Sequence, residues 1–195
     1  MTNMIRAIPT RHKGYLFRSR LEARWAVFFD VIGAKWSYEV EGYENDQGVR
    51  YLPDFFLHNV TLRGVKNPER GLCLEVKPDH YETNEHQGDA EKYYMCSPLI
   101  LVRGMPSDVQ PLPGSRMTGE QYLDQGATGE DCGLWWDNFM HFMKCYRCGC
   151  LKVEYEEGHY MECPECGYRA DGYHPDLVDG CHAAQEAQFK HHRGA

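Results

Sequence analysis

The chain has no run approaching the ~18 apolar residues needed to span a bilayer. Its N-terminus also lacks the apolar core of a signal peptide. These absences argue against membrane-embedded and secreted proteins, so a soluble, cytoplasmic protein is expected. Positive charge is short as well: 21 Lys and Arg face 29 Asp and Glu, a formal charge of −8, which disfavours a non-specific nucleic-acid coat protein. No internal repeat is visible apart from a doubled cysteine motif between residues 145 and 166. Apolar side chains are plentiful. At 42% of 195 residues, with 13% aromatics, they suffice for one moderate core with a small appendage.

The basic residues are unevenly spread. Residues 1–25 hold Arg6, Arg11, Lys13, Arg18, Arg20 and Arg24 against the single acid Glu22, six charges against one. A basic arm beside an acidic site is a workable way to hold phosphates. A solvated basic terminus with no partner is the duller alternative.

Residues 1–14 read as an irregular basic arm, broken by Pro9 and Gly14. Ser19 then opens a helix whose apolar positions Leu21, Trp25, Phe28, Phe29 and Ile32 recur at helical spacing, and Gly33 closes it. Trp36 to Val40 alternates like a strand, and Val49 to Leu57 reads as a second strand interrupted by Pro53. His58 to Arg70 reads as a polar excursion with room for a short strand at Val60 to Val65; a buried strand is expected at Gly71 to Lys77, a helix at Glu85 to Cys96, and a last apolar strand at Pro98 to Val102. Helix, three strands, helix, strand is an α/β order with a mixed sheet. The expected organisation is an arm at 1–14, a core at 15–105, a Pro/Gly-rich connecting segment at 106–140, a cysteine module at 141–170, and a C-terminal helix and tail at 171–195, with the helix at Leu177 to His191.

Nine cysteines in a chain of this kind suggest metal binding more than disulfides. Cys145-Tyr146-Arg147-Cys148-Gly149 and Cys163-Pro164-Glu165-Cys166-Gly167 are two copies of Cys-x-x-Cys-Gly, with 14 residues between Cys148 and Cys163. Each glycine permits the left-handed turn that aims backbone amides at the sulfurs. With a strand-like Leu151 to Tyr155 between them, this is the layout of a zinc ribbon, in which Cys145, Cys148, Cys163 and Cys166 hold one structural Zn²⁺. An iron–sulfur cluster or a redox pair is disfavoured because two symmetric knuckles leave no open position. Cys150 and His159 are expected outside the ligand set, and Cys73, Cys96, Cys132 and Cys181 to be small buried apolar residues. A nucleic-acid contact through Arg147, Lys152 or Tyr155 is disfavoured by the surrounding Glu154, Glu156, Glu157, Glu162 and Glu165.

Three stretches outside that module carry charged residues at telling positions: Phe17-Arg18-Ser19-Arg20-Leu21-Glu22-Ala23-Arg24, Tyr51-Leu52-Pro53-Asp54-Phe55 and Leu74-Glu75-Val76-Lys77-Pro78. Glu75 and Lys77 alternate along a strand and so share a face. A surface ion pair is the duller account of them. Asp54 follows Pro53 as a turn residue would, yet its apolar neighbours Leu52, Phe55, Phe56 and Leu57 argue for a sheet, where an unpaired carboxylate is costly. Ser19 and Glu22 form Ser-x-x-Glu, a capping box. A metal- or water-positioning role for Glu22 is compatible with that.

Taken in order, Glu22, Asp54, Glu75 and Lys77 resemble the PD-(D/E)XK nuclease superfamily, the restriction-endonuclease-like fold, over residues 15–105, and in particular its phage and mobile-element members. The resemblance implies a mixed central sheet flanked by helices. It also implies Mg²⁺ or Mn²⁺ on Asp54, Glu75 and the backbone carbonyl of Val76, with Lys77 orienting or helping to deprotonate the attacking water and Glu22 holding a second metal or a water. Arg18, Arg20, Arg24 and Lys13 are the candidate nucleic-acid contacts, and His80, Lys92 and Tyr93 are weaker candidates. Two features depart from the family: Pro78 follows the lysine, and the second helix lacks Gln-x-x-x-Tyr. The expected activity is metal-dependent DNA endonucleolysis leaving a 5′ phosphate, by a homodimer if both strands are cut. The alternatives are a nuclease fold that binds nucleic acid or protein without cleaving, and an enzyme acting on RNA.

Overall fold

A computed structural model describes residues 7–62, 71–79, 92, 96, 99–106, 140–155, 160–163, 165–171 and 174–190. Nearly all of the expected connecting segment and of the expected second helix, and His80, Tyr93, Cys132 and His159, lie outside these residues.

The first surprise is at the N-terminus. Where an irregular arm was expected, Thr10–His12 (β1) and Tyr15–Phe17 (β2) pair antiparallel around a two-residue turn, Lys13-Gly14. His12 and Lys13 reach Asp30 at 3.2 and 2.9 Å, which ties this hairpin to the helix that follows.

That helix, Arg20–Ile32 (α1), has the ends its sequence predicts. The Ser19 hydroxyl accepts from the Glu22 N–H at 3.1 Å, and Gly33, at φ 80°, takes the left-handed position that ends the ladder. Trp25, Phe28, Phe29 and Ile32 are buried along it.

Beyond α1 come Trp36–Tyr38 (β3), Tyr43–Glu44 (β4), Arg50–Tyr51 (β5), Phe55–Leu57 (β6), Val60–Leu62 (β7), Leu72–Lys77 (β8) and Leu99–Arg103 (β9). The central sheet has the order β3-β6-β8-β9; the first two pairings are antiparallel and β8–β9 is parallel. Along β8 the side chains alternate. Leu72, Leu74 and Val76 join the cluster that holds α1, while Cys73 joins a second cluster with Tyr51, Cys96, Leu99 and Leu101. In that second cluster Cys73 and Cys96 are joined by a disulfide. The expectation of two unpaired apolar cysteines is therefore corrected. The fold faces both side chains into one apolar layer, although 23 positions separate them in the chain.

The cysteine module begins with Met140–Lys144 (β10) and Leu151–Tyr155 (β11), and continues with Tyr160–Glu162 (β12) and Arg169–Asp171 (β13). It shares the core. β11 pairs antiparallel with β10 and parallel with β7, which makes a second three-stranded sheet. Phe142 packs among Trp25, Phe28 and Phe29 with ring centroids 6.4, 5.4 and 6.0 Å away. The last helix, Pro175–Glu186 (α2), lies against α1 at Gly180, where an added Cβ would come within 2.9 Å of Phe28 Cδ2 and 3.0 Å of Ile32 Cγ2. Lys144 ties three elements together: its ammonium donates to the Ile32 carbonyl at 2.9 Å and pairs with Asp176 at the start of α2. The result is α/β with mixed sheets and two helices among the described residues. No helix there is long and apolar enough to cross a membrane.

Truncating Phe142 would open a hole where the ribbon strand meets α1. Phe142→Ala is expected to lower the unfolding free energy by about 3–5 kcal/mol in a denaturant titration. A loss under ~1 kcal/mol would mean that β10 is only loosely docked.

Candidate functional site

At the end of the central sheet where β3 finishes and β6 begins, the N-terminus of α1 meets the end of β8. Four acidic side chains converge here. Asp54, directly before β6, is 2% exposed; Glu75, on β8, 5%; and Glu22, in the first turn of α1, 7%. Glu39, just after β3, has a left-handed backbone (φ 47°).

Burying carboxylates requires a partner for every oxygen, and here each has one. Asp54 Oδ1 accepts from the Arg18 guanidinium at 2.5 Å, and Oδ2 from the Val76 N–H at 2.8 Å. Glu75 Oε1 accepts from Lys77 Nζ at 2.7 Å, and Oε2 from the Tyr51 hydroxyl at 2.9 Å. Glu22 Oε1 accepts from the Ser19 hydroxyl at 2.6 Å; its Oε2 accepts from the Tyr38 hydroxyl at 2.5 Å and the Arg18 N–H at 3.0 Å. Glu22 therefore acts in capping α1 and also reaches across to β3.

The electrostatics follow from this crowding. Burial first, then the neighbouring charges of Glu75 and Glu22, push the Asp54 pKa well above the usual carboxylate range, and the Val76 N–H and Arg18 only partly offset them. Burial pushes the Tyr38 hydroxyl up too, reinforced by its bond to Glu22. Burial would lower Arg18, but Asp54, Tyr38, Glu39 and Glu22 outweigh it, so the guanidinium is held firmly in its charged form.

The structure thus brings Glu22 and Glu75 into electrostatic range of Asp54, with Lys77 on Glu75 and the Val76 N–H, not its carbonyl, on Asp54. Residues that the sequence did not single out complete the set. Tyr38 and Tyr51 fill the outer oxygens of Glu22 and Glu75, and Glu39 shares Arg18 at 2.7 Å. Strand alternation placed both tyrosines in β structure, but nothing local said which carboxylate each would meet. Among the four expected nucleic-acid contacts, Lys13 is paired with Asp30 and Arg18 with Asp54 and Glu39. Arg24 donates to the Ala184 and Gln185 carbonyls at the C-terminus of α2 and lies 6.0 Å over the Phe189 ring. Arg20 opens α1.

The second constellation is the cysteine set. Among the described residues, Cys145, Cys148, Cys163 and Cys166 are the one group of acidic, histidine or cysteine side chains whose ligand atoms all lie within 4.8 Å of one another, close enough to hold a metal ion such as zinc. The three carboxylates are spread more widely than that. Cys145 and Cys166 sulfurs are 3.7 Å apart and those of Cys148 and Cys163 3.4 Å, near the ~3.8 Å that a tetrahedral ion with ~2.3 Å zinc–sulfur bonds requires. The two knuckles are built alike. The Gly149 and Gly167 N–H groups return to the Cys145 and Cys163 carbonyls at 2.9 Å, with both glycines at positive φ. Burial raises the Cys163 thiol, but hydrogen bonds from Cys150, the Cys166 N–H and their neighbours outweigh it and bring the pKa down to about 6. Cys150 stands close outside the four, its sulfur 3.2 Å from that of Cys163.

Comparison with family models, curated proteins and solved structures returns no match. Function therefore has to be argued from these two sites.

The purified chain should carry about one zinc per molecule by elemental analysis, with a thermal midpoint that falls on chelation. Cys163→Ser should lose the metal, and Cys150→Ser should keep it. Full retention in Cys163→Ser would refute the assignment of the four ligands.

Proposed function

We propose that the chain is a divalent-metal-dependent endonuclease that hydrolyses DNA phosphodiester bonds. The observation carrying this reading is the buried carboxylate pair Asp54 and Glu75, each already matched to a cation of its own chain at the end of one sheet. Further support comes from the sheet, antiparallel over β3-β6-β8 and parallel at β8–β9 with α1 packed on it, since the PD-(D/E)XK resemblance implies a mixed central sheet flanked by helices.

The donor set suits Mg²⁺ or Mn²⁺. Asp54 and Glu75 offer hard oxygens on one sheet, and with Glu22 and Glu39 beside them four carboxylates meet the two cations Arg18 and Lys77. When bound, such an ion would activate a water and neutralise charge building on the phosphate. The chain's own residues do the rest. Asp54 and Glu75 would hold the ion, with Tyr51 and the Val76 N–H fixing their orientation. Lys77 Nζ, next to Glu75, would orient the attacking water and offset phosphate charge. Glu22, with its oxygens on Ser19, Tyr38 and Arg18, would position the helix start and the Arg18 backbone and would not bind metal directly. Arg18 and Arg20 are the phosphate contacts in this reading; Arg24 is omitted because it is committed to the end of α2, and Lys13 because it is paired with Asp30 near the far end of α1. The cysteine-bound zinc would be structural.

One observation favours a second reading, a nucleic-acid- or protein-binding module without catalysis: both oxygens of each of the three buried carboxylates, Glu22, Asp54 and Glu75, are already satisfied from within the chain. Incubating the protein with plasmid DNA and structured RNA in Mg²⁺ or Mn²⁺ separates the two. Cleavage of DNA, reduced at least about 10³-fold in both Asp54→Asn and Lys77→Ala, is expected. Both Asp54 oxygens accept from N–H donors, so Asp54→Asn turns an amide NH₂ toward a donor, and the thermal midpoint of each variant is measured beside its cleavage to separate lost chemistry from lost fold. DNA binding with no cleavage under any metal would leave only the binding module, and cleavage confined to RNA would move the substrate class.

A further inference from the structure

The position of Arg18 bears on how the candidate metal site is reached, an inference that rests on the nuclease reading. Its main chain is anchored: the backbone N–H is shared between Glu22 Oε2 and Tyr38 Oη, each at 3.0 Å. Its side chain is 57% exposed and forks, with Nη2 2.5 Å from Asp54 Oδ1 and Nε 2.7 Å from Glu39 Oε1. Of these two carboxylates, the Asp54 side chain is 3% exposed and the Glu39 side chain 25%. A long, solvent-reaching cation therefore covers one oxygen of the deeper carboxylate while holding a second, shallower one.

The Asp54 carboxylate is held on its other side by the Val76 N–H, so it keeps its orientation if the guanidinium leaves. A guanidinium and a divalent cation on the same Oδ1 would stand ~4 Å apart and repel each other, so the two compete for that oxygen. Glu39 lets the arginine depart without becoming an unpaired charge.

We propose that Arg18 is a resident counter-ion that competes with the divalent cation for Asp54 Oδ1, and that metal entry shifts it onto Glu39, from where it faces the phosphate. Without metal it keeps a buried cluster of carboxylates from standing uncompensated. With metal it becomes a substrate-positioning residue. The metal and Arg18 thus exchange roles at a single oxygen atom.

Calorimetric titration of the full-length protein with Mn²⁺ in the absence of DNA tests this without relying on turnover. Arg18→Ala should bind Mn²⁺ about tenfold more tightly than wild type, because a charge-assisted competitor has gone. Glu39→Gln should bind it several-fold more weakly, since the arginine then has no second carboxylate to move to. Arg18→Lys should fall between wild type and Arg18→Ala, and serves in place of the alanine variant if that one melts early. With Ca²⁺ replacing Mn²⁺ to block cleavage, Arg18→Ala should bind duplex DNA several-fold less tightly. A gain in metal affinity together with a loss in DNA affinity is a split that a merely structural residue does not give. Equal or weaker Mn²⁺ binding by Arg18→Ala, with wild type binding normally, overturns this proposal alone. No Mn²⁺ binding by either protein overturns the nuclease reading and this proposal with it.

Discussion

The architecture depends on the burial of α1 on three sides. Trp25, Phe28, Phe29 and Ile32 join the buried side chains of the central sheet, the ribbon strand at Phe142 and α2 at Leu177, Cys181 and Ala184 in one apolar cluster. A helix of 13 residues is marginal in isolation, so its stability must come from this packing. The same burial fixes where its first turn points. That first turn carries Glu22 to β3, and Arg18, just before it, to Asp54. Trp25 adds a polar tie, donating from Nε1 to the Gly104 carbonyl at 2.9 Å just past β9.

The candidate site is a problem in charge compensation. Carboxylates cannot stay ionised in a buried place unless each finds donors, and the fold supplies the Arg18 and Lys77 side chains, two tyrosine hydroxyls, the Ser19 hydroxyl and two backbone N–H groups. Such a network is compatible with a static structural cluster. It is equally the arrangement expected of a cation site whose metal is replaced by the chain's own charges. Among the donors Arg18 is the one solvent reaches most, at 57% exposed against 22% for Lys77.

The cysteine module changes the picture of domain organisation. Read along the chain, it looks like an appendage behind a long connecting segment. In space its β11 lies beside β7, with Leu151 opposite Val60 and Val153 opposite Leu62, and its apolar face is continuous with the core. A metal held there would brace the strand that Phe142 uses to reach α1, so metal loss and core loosening are physically linked.

What was legible in the sequence was what acts over short range. Ser19 and Gly33 bound α1 because capping is decided within one turn. Glu75 and Lys77 share a face because strands alternate, and the two knuckles stand out because a glycine after Cys-x-x-Cys sets the local turn. The partners of the charged groups were not legible. Arg18 meets Asp54 across 36 positions, Tyr51 meets Glu75 across 24, and Cys73 meets Cys96 across 23. The N-terminal hairpin was missed because Pro9 and Gly14 read as breakers, while its anchor, Asp30, lies a helix away. By itself the chain determined which side chains would be available and which way each would face along its own element. Only tertiary packing decided which oxygen each donor would fill, because those distances are set by how α1 lies across the sheet and not by any neighbour in sequence.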